Sequence, residues 1–492
     1  MEAVFKMGAS RIASAVNAGE LSAKEVVTAY LERIAELNGK LNAYLHVNST
    51  GARRAASSVD DLVVRGEKLN LAGVPVAVKD VISVRGLPIT CGSRVLRGYV
   101  APYDATVVNR LKRAGAIVLG TTNTDEFAMG SSTENSAYGA SRNPWAEDRV
   151  PGGSSGGSAV AVSGGMATAA LGTDTGGSVR LPACFTGLFG LKPSYGALSR
   201  YGLVSYANSL EQVGVFARSV DDLALVYSAM LGADPKDGTT TNFSWSIRDA
   251  LSRGVEGLRL GVVVEMSGEG IHEAVSSALS TTCKELERNG VSVGEASIKH
   301  MGYSLEAYYL IAMSEASSNL ARFDGVRYGE HPAFEGDWNE EYSRVRSLFG
   351  LEVKRRIILG AFALSAGYQE MYYGRASRFR TLLIHEFREA FKQFDVLIAP
   401  TSPTPPFRFG EKTQDPLTMY LSDVDTVPVN LAGLPALNVP VGTFTTDGTT
   451  LPLGVQLIAP YGRDDLLFTV ASQLERSGLS SARVVEPWGR IV

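Results

Sequence analysis

Ser154 stands in Gly152-Gly-Ser-Ser-Gly156, and Ser178 directly follows two glycines in Thr173-Asp-Thr-Gly-Gly-Ser178. A serine hydroxyl becomes a nucleophile only when a base takes its proton. The first cluster formally matches G-x-S-x-G, the nucleophile elbow, which follows a strand and relies on a later histidine. Here the preceding stretch, 142–151, is a proline-bounded loop. None of the five histidines (His46, His272, His300, His331, His385) lies in a loop of obvious site character. A Ser-His-Asp arrangement stays open on these words but has little behind it. The other base on offer is Lys79, which closes the β-branched run Val74-Pro-Val-Ala-Val78. In open α/β sheets ligands gather beyond the carboxyl ends of strands. A lysine desolvated there loses pKa until its neutral amine is usable as a base. Taken alone, a lysine in this position is more commonly a surface residue pairing with its neighbour, here Asp80. With Ser178 as nucleophile and Lys79 as base, Ser154 can relay the proton between them, because a hydroxyl both donates and accepts. The N–H groups of the Gly-Gly turn can point inward and form an oxyanion hole.

These groups need elements to hold them. The segment between the two serine clusters, SAVAVSGGMATAALG (158–172), has the composition of a flexible linker but is apolar and unbroken by charge, as a core helix is. Residues 104–115 read as a helix leading into a strand at 116–119, the alternation of an α/β fold. The loop after that strand carries Asp125-Glu126. Such a pair resembles an acid/base dyad or metal ligands, but adjacent side chains rarely face one another. Residues 8–39 form two helices. Ser22 and Glu25 make a capping box for the second, and Gly39 is its candidate C-cap. Ser219 and Asp222 make another box for a helix over 219–231, and the loop 232–242 marks a break. Strands are expected at 258–265, 395–400 and 451–458, and helices at 272–289 and 463–476. The predicted architecture is a single α/β domain over 1–492, a large mixed β-sheet covered by helices on both faces. Its core lies at about 60–235 and 395–480, with a mostly helical region at about 240–395.

Length and composition bound the function. The chain has 492 residues, is 45% hydrophobic and 20% charged, and carries a net charge of −4 without a basic tail. That argues against a nucleic-acid footprint carried by this chain alone. Three widely spaced cysteines, Cys91, Cys184 and Cys283, suggest neither a disulfide framework nor a zinc site, and fit a reducing, cytoplasmic setting. The N-terminus has no signal-peptide pattern. No apolar run approaches the roughly 18 residues of a membrane span.

Lys79 at a strand end, GGSSGGS at 152–158 and TDTGGSVR at 173–180 together resemble the amidase signature family in words and in spacing. The resemblance implies that family's fold and a Ser-cisSer-Lys triad: Ser178 the nucleophile, Ser154 the bridging serine in a cis peptide, Lys79 the base. It places the oxyanion-hole amides on Thr175, Gly176, Gly177 and Ser178. Within the family the chain is more similar to the glutamine-hydrolysing A subunits of tRNA-dependent amidotransferases. The words that carry this are DEFAMGSSTENSAYG (125–139), GLKPSYGALSRYGLVSYANSLEQVG (190–214), VKRRIILGAFALSAGY (353–368) and DPLTMYLSDVDTVPVNLAGLPA (415–436). This branch implies glutamine as substrate and ammonia passed to a partner, the B subunit. That partner binds the misacylated tRNA and uses ATP and Mg, and a small C subunit joins the two. The branch implies no metal or organic cofactor in this chain. Glutamine presents an α-carboxylate, suited to an arginine, and an α-ammonium, suited to a carboxylate. By motif position these fall on Arg356, with Arg355 adjacent, and on Asp423, with Asp425 close by; Tyr309 matches a substrate-contacting tyrosine.

Overall fold

The computed structural model describes residues 4–243, 245–329, 336–487 and 490–491; His331 lies outside them. Apolar runs of four to eleven residues build eleven strands into one sheet among the described residues. They are β1 (Tyr44–Val47), β2 (Pro75–Lys79), β3 (Ile117–Thr122), β4 (Ala169–Asp174), β5 (Phe189–Lys192), β6 (Gln212–Ala217), β7 (Arg259–Val263), β8 (Ser292–Ala296), β9 (Val396–Pro400), β10 (Ala436–Thr446) and β11 (Thr449–Ile458). Their spatial order is β1-β3-β2-β4-β6-β5-β10-β11-β9-β7-β8. The trios β3-β2-β4 and β9-β7-β8 are parallel, and the remaining pairs antiparallel. The fold is the α/β, mixed-sheet architecture that the sequence predicts. Strands β2 to β6 are buried at every position, so both sheet faces are covered there, which is why these strands read as continuous rather than alternating apolar runs.

The segment between the serine clusters divides in two. Its first half is the helix Gly156–Ser163, and its second half is β4. The helix is buried on all sides, as one apolar all round must be. Its glycines are there for clearance: a Cβ on Gly157 would strike the backbone of Asn123 and of Ala43. Two other local expectations need correction. The helix Ala23–Leu41 has the Ser22–Glu25 capping box but runs past Gly39, because Leu41 is fully buried and extends the apolar face. Its left-handed cap is Asn42, whose side-chain amide donates to the carbonyls of Tyr138 and Gly139. At Ser219 only half a box forms. The hydroxyl accepts the Asp222 N–H, but the Asp222 carboxylate turns to the N–H and hydroxyl of Ser10, both at 2.9 Å, and so ties the first helix to this one. The stretch 240–395 supplies β7 and β8 to the sheet as well as its helices.

The turn after β4 is fixed by a buried ion pair. Asp174 and Arg180 have no solvent exposure and meet at 3.0 Å. Asp174 also accepts the N–H groups of Gly177, Val179 and Arg180 at 2.9, 3.1 and 3.3 Å. Arg180 reaches Gln456 of β11 at 2.9 Å, and the Thr426 carbonyl and the Asn430 side chain of the segment before β10. Burial would raise the Asp174 pKa, but the Arg180 guanidinium overrides it and holds the carboxyl well below the usual range. Replacing Asp174 with asparagine leaves Arg180 charged, buried and uncompensated, and is expected to cost about 3–5 kcal/mol. Because the native pKa is depressed, the pair's contribution is present above about pH 4 and is lost as the pH falls further. Denaturant midpoints of the wild type and D174N at pH 7 and at about pH 2 check both statements. Equal midpoints at pH 7 would count against the pair as a structural hub.

Candidate active site

Lys79 is the last residue of β2, and Thr173 lies near the end of the adjacent parallel strand β4. Lys79 has no solvent exposure. Its Nζ lies 2.7 Å from Ser154 Oγ and 2.8 Å from Thr173 Oγ1, donating to both hydroxyls. Burial pushes its pKa down to about 7, against the pull of the Asp125, Asp174 and Glu211 carboxylates. A base that titrates near neutrality is what proton abstraction at physiological pH requires. Asp125 is held by the N–H groups of Thr133 and Asn135 at 2.8 and 3.0 Å, and burial lifts its pKa to about 6.

The Gly153–Ser154 peptide bond is cis. Asp125 N–H donates to the Ser154 carbonyl, and Ser155 N–H donates to the Ser178 carbonyl, each at 3.2 Å, so the two serine clusters are clamped against one another. Ser154 is fully buried, whereas Ser178 is 9% exposed. The Ser178 hydroxyl makes no hydrogen bond to any described residue. Gly177 adopts φ +137°, a conformation that needs glycine, and a Cβ there would strike Thr426. Of the four backbone amides that the sequence assigns to an oxyanion hole, that of Gly177 is committed to Asp174. Those of Thr175, Gly176 and Ser178 donate to no described acceptor.

A charged pocket adjoins this turn. Arg356 is buried on the helix Leu351–Ala363. Its Nε donates to Glu352 at 2.7 Å and its Nη1 to the Tyr206 hydroxyl at 2.8 Å. The rings of Tyr309, Tyr420 and Tyr206 surround the guanidinium at 5.3, 5.4 and 5.5 Å. Its Nη2 bonds to no described residue and can meet a carboxylate. Arg355 pairs with Glu352 from outside, with about a third of its side chain exposed. Asp423 accepts the Ser131 hydroxyl at 2.6 Å and the Tyr309 hydroxyl at 3.4 Å. Asp425 is also buried, but its Oδ2 has no partner and it does not reach Tyr309 among these contacts. Burial lifts Asp423 to about 7 and Asp425 to about 8. The pocket and the catalytic turn share walls. Thr426 Oγ1 donates to the Gly176 carbonyl at 2.6 Å and reaches the Asp423 carbonyl at 3.1 Å. On the helix Ser304–Asn319, Tyr308 lies against Gly176 while Tyr309 lies between Arg356 and Asp423.

Sequence reasoning missed Thr173, Ser131, Tyr206, Glu352 and Tyr420. Only Glu352 left a signal, its i,i+4 spacing to Arg356. The four described histidines lie outside this constellation, so the Ser-His-Asp alternative has no base among the described residues. No group of three or more metal-ligating side chains occurs among the described residues. None of their helices is long and apolar enough to cross a membrane.

Residues 25–468 match the amidase family model. The chain belongs to the amidase family. It is 51% identical over 481 residues to the A subunit of glutamyl-tRNA(Gln) amidotransferase from Acidothermus cellulolyticus, covering 96% of this chain and 95% of that one. It is also 51% identical over 471 residues to the protein of the same name from Deinococcus radiodurans, covering 96% and 97%. Among solved structures it is similar to the glutamyl-tRNA(Gln) amidotransferase A subunit of Thermotoga maritima, with a TM-score of 0.82, 38% identity and 99% of each chain covered.

The shifted pKa values of Lys79 and Asp423 yield a prediction for amide hydrolysis at this site. Lys79 is a base only when neutral, so kcat should rise as the pH passes upward through about 7. Asp423 attracts a cation only when ionised, so KM for an α-ammonium substrate should fall over the same interval. Steady-state profiles across neutrality separate the two: D423N should flatten the KM limb and keep the kcat limb. A kcat that is flat across neutral pH would remove Lys79 as the base.

Proposed function

We propose that this chain hydrolyses the side-chain amide of glutamine and supplies the ammonia to a tRNA-dependent amidotransferase. The observation that carries the reading is the buried Lys79 amine, 2.7 Å from the Ser154 hydroxyl. In the proposed sequence the neutral amine takes a proton from Ser154, and Ser154 takes one from Ser178. Ser178 Oγ then attacks the amide carbon. The oxyanion rests on the free amides of Thr175, Gly176 and Ser178. The proton returns to the leaving nitrogen, the C–N bond breaks, and ammonia departs. Water, deprotonated by the same relay, attacks the ester and releases glutamate and the Ser178 hydroxyl. Arg356 takes the α-carboxylate, and Asp423, with Tyr309 beside it, takes the α-ammonium. These steps use only groups of this chain.

The charged pocket supports a free amino acid rather than an apolar amide as substrate. A stand-alone amidase acting on another amide would have no use for a buried arginine in an aromatic box facing a buried carboxylate. The relatives, named as A subunits, support assembly with B and C subunits. In that assembly the B subunit would bind misacylated Glu-tRNA(Gln) or Asp-tRNA(Asn) and activate it with ATP and Mg. The setting this implies is cytoplasmic.

Glutaminase turnover of the chain purified with its partners tests the reading. Ser178→Ala should abolish it, as should Lys79→Ala at every pH; rescue of the latter by a rise to about pH 9 would point to another base. Arg356→Met should raise KM for glutamine by about tenfold to a hundredfold, the scale of a lost charge-assisted contact. An unchanged KM would show that the pocket does not receive the α-carboxylate.

A further inference from the structure

The Asp125-Glu126 pair is not a dyad, because its two side chains diverge. Asp125 turns to the amides of Thr133 and Asn135, while Glu126 turns to a different part of the molecule. Glu126 is buried, and its Oε1 accepts the Ser93 hydroxyl at 2.5 Å. Its Oε2 accepts the backbone N–H of Gly350 at 2.7 Å, across 224 positions of sequence. Gly350 immediately precedes the helix Leu351–Ala363 and caps it without any side chain of its own. A carboxylate from a distant loop therefore sits where the helix dipole favours negative charge. The helix that starts there carries Glu352 in its first turn and Arg356 one turn later. Glu352 in turn holds both Arg356 and the Tyr420 hydroxyl.

The loop is built to keep this carboxylate in place. Phe127 and Ala128 follow it at φ +51° and +61°, which residues with side chains rarely adopt. The Phe127 N–H is anchored on the Cys91 carbonyl at 2.8 Å. Its ring packs against Phe349, the residue before Gly350, at 5.5 Å, and against Phe323 at 5.0 Å. The same loop sends Ser131 to Asp423, and its Asp125 N–H donates to the Ser154 carbonyl. One loop thus touches Ser154, the Asp423 carboxylate and the helix that bears Arg356.

We propose that Glu126 is a positioning residue: by fixing the start of the helix Leu351–Ala363 to this loop, it sets where the Arg356 guanidinium meets the substrate's α-carboxylate. This role rests on the glutamine reading and goes beyond it by naming what registers the arginine against the catalytic turn.

The test is steady-state glutaminase kinetics of the full chain with its partners, for E126A, E126Q, R356M and the double variant E126A/R356M. E126A should raise KM for glutamine about tenfold, the scale of one charge-assisted hydrogen bond, with kcat within about twofold. E126Q keeps an oxygen acceptor for the Gly350 N–H and should recover most of the loss. In the R356M background, E126A should add nothing further to KM, because the group it positions is gone. A loss that falls on kcat, or is additive in the double variant, would overturn the proposal and leave Glu126 as general framework. If R356M raises KM and E126A does not, the positioning role alone fails. If the wild type does not turn over glutamine, the glutamine reading itself fails; if it does and R356M leaves KM unchanged, Arg356 does not receive the α-carboxylate and this proposal fails with that contact.

Discussion

Two opposite charges without solvent access hold the turn on which the site is built. Removing Asp174 and Arg180 from water carries a large desolvation cost, which is offset only when every remaining donor and acceptor is also used. Here they are used. The carboxylate takes three backbone amides and the Asn430 side chain, and the guanidinium takes Gln456, Asn430 and the Thr426 carbonyl. The pair thereby joins β4, β11 and the segment before β10, three parts of the chain far apart in sequence. It also decides which backbone amides of the turn stay free, because it consumes that of Gly177 and leaves those of Gly176 and Ser178 without a described acceptor. A hole for an oxyanion depends on donors that have no other acceptor, and in the proposed mechanism the ion pair helps set that condition.

The burial that makes the ion pair costly is what makes Lys79 useful. An exposed lysine at neutral pH is almost wholly protonated and cannot accept a proton. Placed at the end of a strand flanked by two others, with only hydroxyls within bonding distance, it loses the hydration that favours its charge. The nearby carboxylates of Asp125 and Asp174 oppose that effect and limit it, so the amine titrates near neutrality rather than far below it. With no described histidine at the site, the position of a lysine in a sheet supplies an amine able to act as a neutral-pH base.

What was legible in the sequence was what local pattern carries. The Gly-Gly-Ser words, the lysine at the end of VPVAV and the Ser22–Glu25 box all sit in short windows, and the α/β class follows from alternating helix and strand signals. The two-part nature of segment 158–172 was not legible, because a helix buried on all sides and a fully buried strand both appear as apolar runs without period. The partners of Arg356 were not legible either. Tyr206, Glu352 and Tyr420 come from three separate stretches, and a tyrosine in sequence gives no sign of whether its ring lines a pocket or fills a core. The divergence of Asp125 and Glu126 was likewise hidden, since it depends on the left-handed backbone at Phe127 and Ala128, which neither residue type announces.

A site of this kind has to solve a registration problem. In the proposed mechanism the nucleophile and oxyanion donors belong to the turn after β4, the base to β2, and the charged cluster around Arg356 to helices far downstream in the chain. Hydrogen bonds and ring contacts across those elements supply the registration, and they converge on few residues. Tyr308 and Tyr309 are adjacent on one helix, yet one closes against Gly176 and the other stands between Arg356 and Asp423, so a shift of that helix moves oxyanion turn and pocket together. Thr426 repeats the arrangement from the opposite side, bonding Gly176 through its hydroxyl while its chain neighbours include Asp423. Positioning of an amide carbon to within a few tenths of an ångström is worth orders of magnitude in rate. In the proposed mechanism such precision is reachable because the elements assigned to the substrate's charged end are bonded to the turn assigned to attack the amide.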